Sequence, residues 1–498
     1  MMLKRVLVAN RGEIALRVIR ACHELGSEAI AVYSDADRDG LPARLADGAY
    51  RLGPPPVAQS YLRARRLIAI ARRAGCDGLH PGYGLLAENA EFAAQVEAAG
   101  LAFVGPSPNA IRLMGDKVAA RRLAREHQVP TVPGSFAPLP DLAQARRQAE
   151  RLGYPVLLKA AAGGGGKGLR LVSRPDELEN AYERAAAEVA QGFADRSLYL
   201  EKFIPRAKHI EVQVLADGAG QVLHCYERDC SVQRRHQKLI EESPAPRLGS
   251  EKRAELGRAA LEITRACGYR SAGTVEFLYD ITEERYYFLE MNTRIQVEHP
   301  VSELVTGIDL VQQQLRLASG EKLSLTQQQL RPRGAALECR IYAEDAQQDF
   351  APSLGQIEEL ILPSGPGVRV DSGVDRGDLV TRYYDPLLLK LIVWAEDRPG
   401  AIARMERALK EFTLVGVATT AEFHRRALRA AGFLDGSYDT DFVASLGPPG
   451  QLDALSRRQL AVAAALLREA QRAPLAPDAA RTESAWKGAS WPDETLYG

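Results

Sequence analysis

Cysteine is scarce in this chain and tryptophan scarcer, neither sign of charge is in excess, and no long apolar run is present. Six cysteines in 498 residues, without a CxxC pair, exclude a disulfide framework. Cys225 and Cys230 are separated by four residues but lack a second ligand pair, which argues against zinc. Reduced thiols and a cytoplasmic setting are expected. Lysine plus arginine and aspartate plus glutamate both total 64, so formal net charge is +0. A neutral chain lacks the electrostatic footprint of a nucleic-acid binder. The strongest apolar stretch, 387–395, is short and interrupted by Lys390, so no membrane span is expected. The chain opens Met1-Met2-Leu3-Lys4-Arg5-Val6 and runs into a strand-like segment, without the apolar core of a signal peptide.

What is present is an ordinary globular composition, 46% hydrophobic and 26% charged, which rules out disorder for most of the chain. At roughly 100–200 residues per domain, the length predicts two to four domains. The first hundred residues alternate strand and helix. Residues 5–9 form a β-branched run, 13–25 carry apolar side chains at helical spacing, and 29–33 make a second strand. A later strand ends near Leu79, before the loop His80-Pro81-Gly82-Tyr83-Gly84. This alternation predicts an open, doubly wound parallel sheet with ligands at the carboxyl ends of its strands. Its first turn, Asn10-Arg11-Gly12-Glu13, is not GxGxxG, so a dinucleotide site is not expected. Residues 334–446 read as a further α+β unit, with strands near 336–341 and 387–394. Beyond lie an expected helix at 455–470 and an alanine/proline-rich tail.

Three constellations carry chemistry. The first is Lys159-Ala160-Ala161-Ala162-Gly163-Gly164-Gly165-Gly166-Lys167-Gly168. Strand-like residues flank it on both sides, so it reads as a hairpin flap rather than a Walker A loop. Its free amides and two lysines suit polyphosphate; alone, it is equally a flexible surface turn. The second is a hairpin, 274–279 and 286–292, with Glu276 in one strand and Glu290 and Asn292 on one face of the other. Two carboxylates and an amide oxygen suit Mg²⁺. Their apolar neighbours argue against solvated edge residues. The third, 293–300, packs Arg294, Gln296, Glu298 and His299 beside that candidate metal site. Such density is costly unless it engages an ionic ligand. His209, Glu211 and Gln213 are expected on one strand face, and the basic run 228–238 reads as an anion pocket.

Together the segments VLVANRGEIALRVIRAC, HPGYGLLAEN, RLMGDK, ERDCSVQRRHQK, EFLYD, EMNTRIQVEHP and ECRIYAED closely resemble biotin carboxylase, the ATP-grasp component of biotin-dependent carboxylases, over about residues 2–446. Ala162 departs from members whose glycine run is one residue longer. The resemblance implies an N-terminal Rossmann-like domain (1–113), an ATP-grasp domain (114–333) with a mobile lid at about 132–203, a C-terminal α+β domain (334–446) and a tail (447–498).

The resemblance further implies that Lys117, Lys159, Gly165, Gly166 and Lys167 hold ATP phosphates. Glu201, Lys202 and Ile204 fall at the nucleotide-base hinge, and His209, Gln233 and His236 lie around ribose and phosphate. Glu276, Glu290 and Asn292 bind Mg²⁺ or Mn²⁺. Lys238, Arg294, Gln296 and Val297 hold bicarbonate, Glu298 is its general base, Arg340 faces the biotin ureido oxygen, and Tyr83 lines the biotin side. Family carriers bear biotin on the lysine of Met-Lys-Met. None of Met1, Met2, Met114, Met291 and Met405 precedes a lysine. A separate biotin carboxyl carrier protein and carboxyltransferase subunits are therefore implied, as in acetyl-CoA, propionyl-CoA or pyruvate carboxylases, together with a homodimer. The alternatives are another ATP-grasp carboxylate–amine ligase and a non-catalytic ATP-binding scaffold.

Overall fold

The computed structural model describes residues 2–135, 138–160, 170–192 and 198–447, with isolated positions in the tail. The glycine run from Ala161 to Gly168 and most of the expected helix at 455–470 lie outside the described residues. Residues Met1–Gly447 make one compact unit.

The N-terminal alternation folds as expected. Strands β1 (Arg5–Val8), β2 (Glu28–Ser34), β3 (Gly48–Gly53), β4 (Gly78–His80) and β5 (Ala102–Phe103) form a parallel sheet in the order β3-β2-β1-β4-β5. The helix Gly12–Glu24 buries Ile14, Val18, Ile19 and Cys22, the apolar stripe visible in the sequence. Gly12 at φ +63° opens the helix at the carboxyl end of β1, the end where open α/β sheets gather ligands.

Strands β6 (Val156–Ala160), β7 (Arg170–Val172) and β8 (Leu198–Lys202) form a small antiparallel sheet in the order β7-β6-β8. The pairing of Val156 with Val172 makes the two flanks of the glycine run neighbours, as a hairpin flap requires. Gly134 bridges to Glu201 at the edge of this sheet.

The rest of the site is built on one eight-stranded antiparallel sheet. It contains β9 (Ala207–Asp217), β10 (Val222–Arg234), β11 (Gln237–Ser243), β12 (Arg270–Asp280), β13 (Arg285–Asn292) and β14 (Ala335–Tyr342), followed by the strands Leu387–Ala395 and Val368–Ser372. Its order begins β13-β12-β9-β10-β11-β14 and ends with those two strands. The C-terminal strands, read from sequence as part of a further unit, thus continue the same sheet: β11 pairs with β14 from Ile240↔Cys339 to Ser243↔Ala336. Burial on both faces explains the near-continuous apolar run at 387–395, where Leu389, Leu391 and Ile392 have no exposed surface.

After β13 the chain makes the loop 293–298 and enters the short helix His299–Thr306, with Pro300 in its first turn and Gly307 in the left-handed conformation at its end. Glu298 sits at the N-cap position, but its side chain makes no cap bond and is directed elsewhere. All six cysteines are buried free thiols. Among the described residues no helix is long and apolar enough to cross a membrane.

A β-carbon at Gly134 would lie 2.4 Å from the Leu200 carbonyl oxygen and 3.0 Å from Glu201 Cγ. Gly134→Ala is expected to push β8 outward, costing about 1–3 kcal/mol. Urea unfolding checks the effect.

Candidate active site

The centre of the site is a guanidinium with no exposed surface, that of Arg228 on β10. Burying this charge is costly unless every donor is matched, and here each is. Nε donates to Glu211 Oε1 at 2.5 Å, and one terminal nitrogen donates to Gln213 Oε1 at 2.7 Å and Ser302 Oγ at 3.0 Å. The other donates to Gln296 Oε1 at 2.7 Å and Thr274 Oγ1 at 3.1 Å. Arg228 and Glu211 are cross-strand partners, so the antiparallel register delivers the first of these contacts. One side chain thereby joins β9, β10, β12, the loop 293–298 and the helix that follows.

The second carboxylate oxygen of Glu211 accepts from Lys238 Nζ at 2.6 Å, and the same ammonium lies 2.6 Å from Glu298 Oε1 and 3.4 Å from Glu276 Oε1. On the other side of Glu298, Arg340 donates to Oε2 at 2.8 Å. Arg340 is itself braced by Glu241 Oε1 at 2.5 Å and by the Tyr342 hydroxyl at 3.2 Å. Burial raises the Glu298 carboxyl, but Lys238 and then Arg340 outweigh it and hold the group well below the usual carboxylate range. Glu298 is therefore held as a carboxylate between two cations.

On the candidate metal side, β12 and β13 pair with Glu276 directly opposite Glu290 and Thr274 opposite Asn292. Glu276 accepts from Asn292 Nδ2 at 2.8 Å and Gln296 Nε2 at 2.9 Å and lies 3.1 Å from His209 Nε2. Burial raises the Glu276 carboxyl, but Lys238 and His209 more than reverse this. Glu290 stands at the rim, 3.6 Å from Lys117 Nζ, and its carboxyl is raised by burial and by the charge of Glu276. A pair of opposed carboxylates that disfavour each other's charge is a donor set that a divalent cation relieves. Among the described residues, the metal-capable side chains that come together are, however, His209, Glu211 and Glu276, and Glu211, Cys230 and Glu298. The amide oxygen of Asn292 is taken by Arg294 at 2.9 Å.

On the nucleotide side Glu201 is buried against Lys159 and Arg121, which together outweigh burial and lower its carboxyl. Lys117, Lys159, Glu201, Ile204, His209, Gln233, His236, Lys238, Glu276, Glu290, Asn292, Arg294, Gln296, Val297, Glu298 and Arg340 all line one cavity of about 1210 Å³. The Lys202 ammonium points away, bound to the carbonyls of Gly153 at 2.8 Å and Tyr154 at 3.3 Å. Tyr83 is absent from the lining and gives its hydroxyl to Glu13. Gly165, Gly166 and Lys167 lie outside the described residues.

Several members of the constellation carry no mark in the sequence that sets them apart. Arg121 and Glu241 lie in ordinary helical and strand patterns, and only the fold aims them inward. Glu88, which takes Arg294 Nε at 3.0 Å and the Thr293 amide at 3.1 Å, sits inside the HPGYGLLAEN segment. Arg228 is visible in sequence only as one member of a basic run; its place in β10, flanked by buried Glu227 and Asp229, is the signal that separates it from a solvated arginine.

A sheet that presents buried carboxylates, two lysines and a small strand layer to one large cleft defines an ATP-grasp enzyme. Comparison with known proteins agrees. The family models described as "Biotin carboxylase, N-terminal domain", "Carbamoyl-phosphate synthase L chain, ATP binding domain" and "Biotin carboxylase C-terminal domain" match residues 2–111, 116–326 and 338–445. The chain is 49% identical to biotin carboxylase 1 of Bacillus subtilis over 442 residues, covering 89% of this chain and 98% of that protein. It is equally 49% identical to a pyruvate carboxylase subunit of Methanothermobacter thermautotrophicus, covering 89% and 90%. Among solved structures, the Campylobacter jejuni biotin carboxylase–β,γ-ATP complex superposes with a TM-score of 0.86 at 45% identity, covering 89% of this chain and 99% of that one. The biotin carboxylase domain dimer of Hydrogenobacter thermophilus 2-oxoglutarate carboxylase, in complex with MgADP, ADP and bicarbonate, also gives 0.86, at 46% identity and 89% and 98% coverage. The chain belongs to the biotin carboxylase family.

Arg228→Met leaves Glu211 buried with one counter-charge fewer. It is expected to cost about 3–5 kcal/mol in urea unfolding, whereas an exposed exchange such as Arg147→Met stays within about 0.5 kcal/mol. Acid acts on the same groups. The depressed carboxyls of Glu276 and Glu298 contribute stability above their unfolded value of about 4.3, and that contribution is lost as pH falls through the lower folded values. Unfolding free energies measured from pH 5 downward are expected to fall more steeply for the unaltered chain than for Glu298→Gln.

Proposed function

We propose that this chain carboxylates biotin borne on a separate carrier protein, by activating bicarbonate with ATP, and that Glu298 is the base that starts the reaction. The observation that carries this reading is the position of Glu298. Its two oxygens are held by Lys238 and Arg340 beside the Glu276–Glu290 pair, in the cleft that Lys117 and Lys159 also line. An anion drawn between Lys238 and Arg294 would meet an ionised carboxylate able to take its proton. The deprotonated bicarbonate oxygen would attack the γ-phosphorus as ADP leaves, forming carboxyphosphate. Glu276, Glu290 and Asn292 would hold Mg²⁺ or Mn²⁺, which supplies charge dispersal over the phosphoryl group being transferred. Lys117, Lys159 and the flap amides would hold the nucleotide tail, with Ile204 and the backbone near Glu201 and Lys202 at the base.

Carboxyphosphate would then break into CO₂ and phosphate. The phosphate takes the proton from the ureido nitrogen, and that nitrogen attacks CO₂. Arg340, buried and already charged, would stabilise the developing ureido oxyanion. Partners are the biotin carboxyl carrier protein and carboxyltransferase subunits, with a second copy of this chain completing a homodimer, in the cytoplasm. What supports a division over separate chains is the names of relatives, such as the pyruvate carboxylase subunit of Methanothermobacter thermautotrophicus. The dimeric Hydrogenobacter thermophilus structure supports the homodimer.

Free biotin, bicarbonate and ATP test the reading. Bicarbonate-dependent ADP release that free biotin accelerates supports it. Turnover indifferent to biotin indicates a different ligase, and no turnover indicates a scaffold. Glu298→Gln is expected to lower ATP cleavage by about 10²–10⁴-fold with ADP binding close to unchanged. Arg340→Ala is expected to lower biotin carboxylation by about 10²–10³-fold more than biotin-independent ATP cleavage. Steady-state kinetics with and without biotin separate the two variants.

A further inference from the structure

Glu241 and Glu338 are cross-strand partners on β11 and β14, and neither has exposed surface. One oxygen of Glu241 takes Arg340 Nε at 2.5 Å. Its other oxygen and both oxygens of Glu338 are buried with no hydrogen-bond partner. The cations that face Glu338 are Lys390 and Arg340, and both are committed elsewhere. Lys390, directly across from Arg340 in the register, donates to the Val297 carbonyl at 2.8 Å and lies 3.2 Å from Glu13 Oε1. Arg340 directs its donors to Glu241, Glu298 and Tyr342.

An ionised carboxylate without a partner is costly in the interior, and two side by side are costlier still. A carboxylic acid, by contrast, carries its own donor. One proton held between the strands supplies the free oxygen of Glu241 and removes the repulsion. Burial raises the Glu338 carboxyl well above its ordinary value; Lys390 opposes this and the Glu241 charge adds to it. Burial also pushes Glu241 up, to about 7, against the pull of Arg340. Of the remaining charged groups, Glu298 faces both carboxyls and Lys238 faces Glu241. The helix His299–Thr306 packs Val301 and Val305 against Ala336 and Ile392 of this sheet, and its His299 and Glu303 face Arg17 and Arg369.

We propose that Glu338 is a neutral acid whose hydroxyl donates to Glu241 Oε2, so that the pair carries one proton and one negative charge and positions Arg340. Glu241 then offers Arg340 a carboxylate anchored at both oxygens, by the guanidinium on one and by the acid on the other. Loss of the shared proton places a second negative charge beside the first and loosens that anchor. Glu241 and Glu338 act through Arg340 as positioning residues. The consequence for biotin chemistry rests on the functional reading above; the location of the proton does not.

The full-length chain tests this. In infrared spectra taken in heavy water at neutral pH, the carbonyl stretch of neutral carboxylic acid is expected to lose intensity in Glu338→Gln and to keep it in Glu241→Gln. The reverse pattern, or no change in either variant, overturns the proposal. Linkage supplies a second sign. The folded chain holds a proton that the unfolded chain releases above about 4.3. The unfolding equilibrium constant of the unaltered chain is therefore expected to rise with pH relative to that of Glu338→Gln, by up to about tenfold per pH unit until the pair itself titrates. A ratio independent of pH overturns the proposal. Glu241→Gln is expected to lower biotin carboxylation about 10-fold more than biotin-independent ATP cleavage, the order of one charged hydrogen bond. Glu338→Gln, whose amide donates to Glu241 as the acid does, preserves the ratio of the two rates. Equal losses of both rates in Glu241→Gln overturn the positioning of Arg340. Glu338→Met, also neutral, serves if Glu338→Gln does not fold; failure of both to fold shows that a charge is required there and overturns the proposal. An unaltered chain that carboxylates no biotin overturns the functional reading alone, because the infrared and unfolding results still decide where the proton lies.

Discussion

The site depends on the satisfaction of one buried guanidinium. Arg228 is stable in the interior only because five acceptors on four segments converge on it, and each acceptor is thereby fixed. Glu211, held on one oxygen by Arg228, presents the other to Lys238, and Lys238 then reaches Glu298 and Glu276. Gln296, held through its carbonyl by Arg228, has its amide nitrogen aimed at Glu276. The geometry of the groups that line the cavity thus follows from a residue outside that lining.

Charge alternation is the second organising feature. Glu298 lies between Lys238 and Arg340, Arg340 between Glu298 and Glu241, and Glu201 between Lys159 and Arg121. The flanking cations hold Glu298 and Glu201 below the usual carboxylate range against the pull of burial, whereas burial pushes Glu241 up to about 7. Glu290, at the rim with a carboxylate as its strand partner and a lysine 3.6 Å away, has its carboxyl raised by burial and by Glu276.

Much of this is legible in the linear sequence because strand periodicity and hairpin turns are local. Opposing Glu276 and Glu290 requires only that 274–279 and 286–292 pair across a short turn. The parallel N-terminal sheet requires only alternating strands and helices. What stays illegible depends on distant chain segments. The β11–β14 pairing merges the C-terminal strands into the central sheet and brings Arg340 to Glu298, yet neither strand carries a local mark of its neighbour. Lys202 shows another limit: adjacent strand residues point to opposite faces, so its ammonium binds the carbonyls of Gly153 and Tyr154 while Glu201 lines the cavity. Lys390 reads in sequence merely as an interruption in an apolar run, whereas it is a buried ion bound to the Val297 carbonyl and paired with Glu13 and Asp371.

The continuous eight-stranded sheet has a consequence for how such a polypeptide can be divided. A cut before β14 would strip β11 of its neighbour and expose a bare row of amides and carbonyls, an adhesive border that natural sheets avoid. The same cut would take away Arg340 and Lys390. The strands on either side of that cut, and the cavity-lining residues they carry, are therefore parts of one woven fabric.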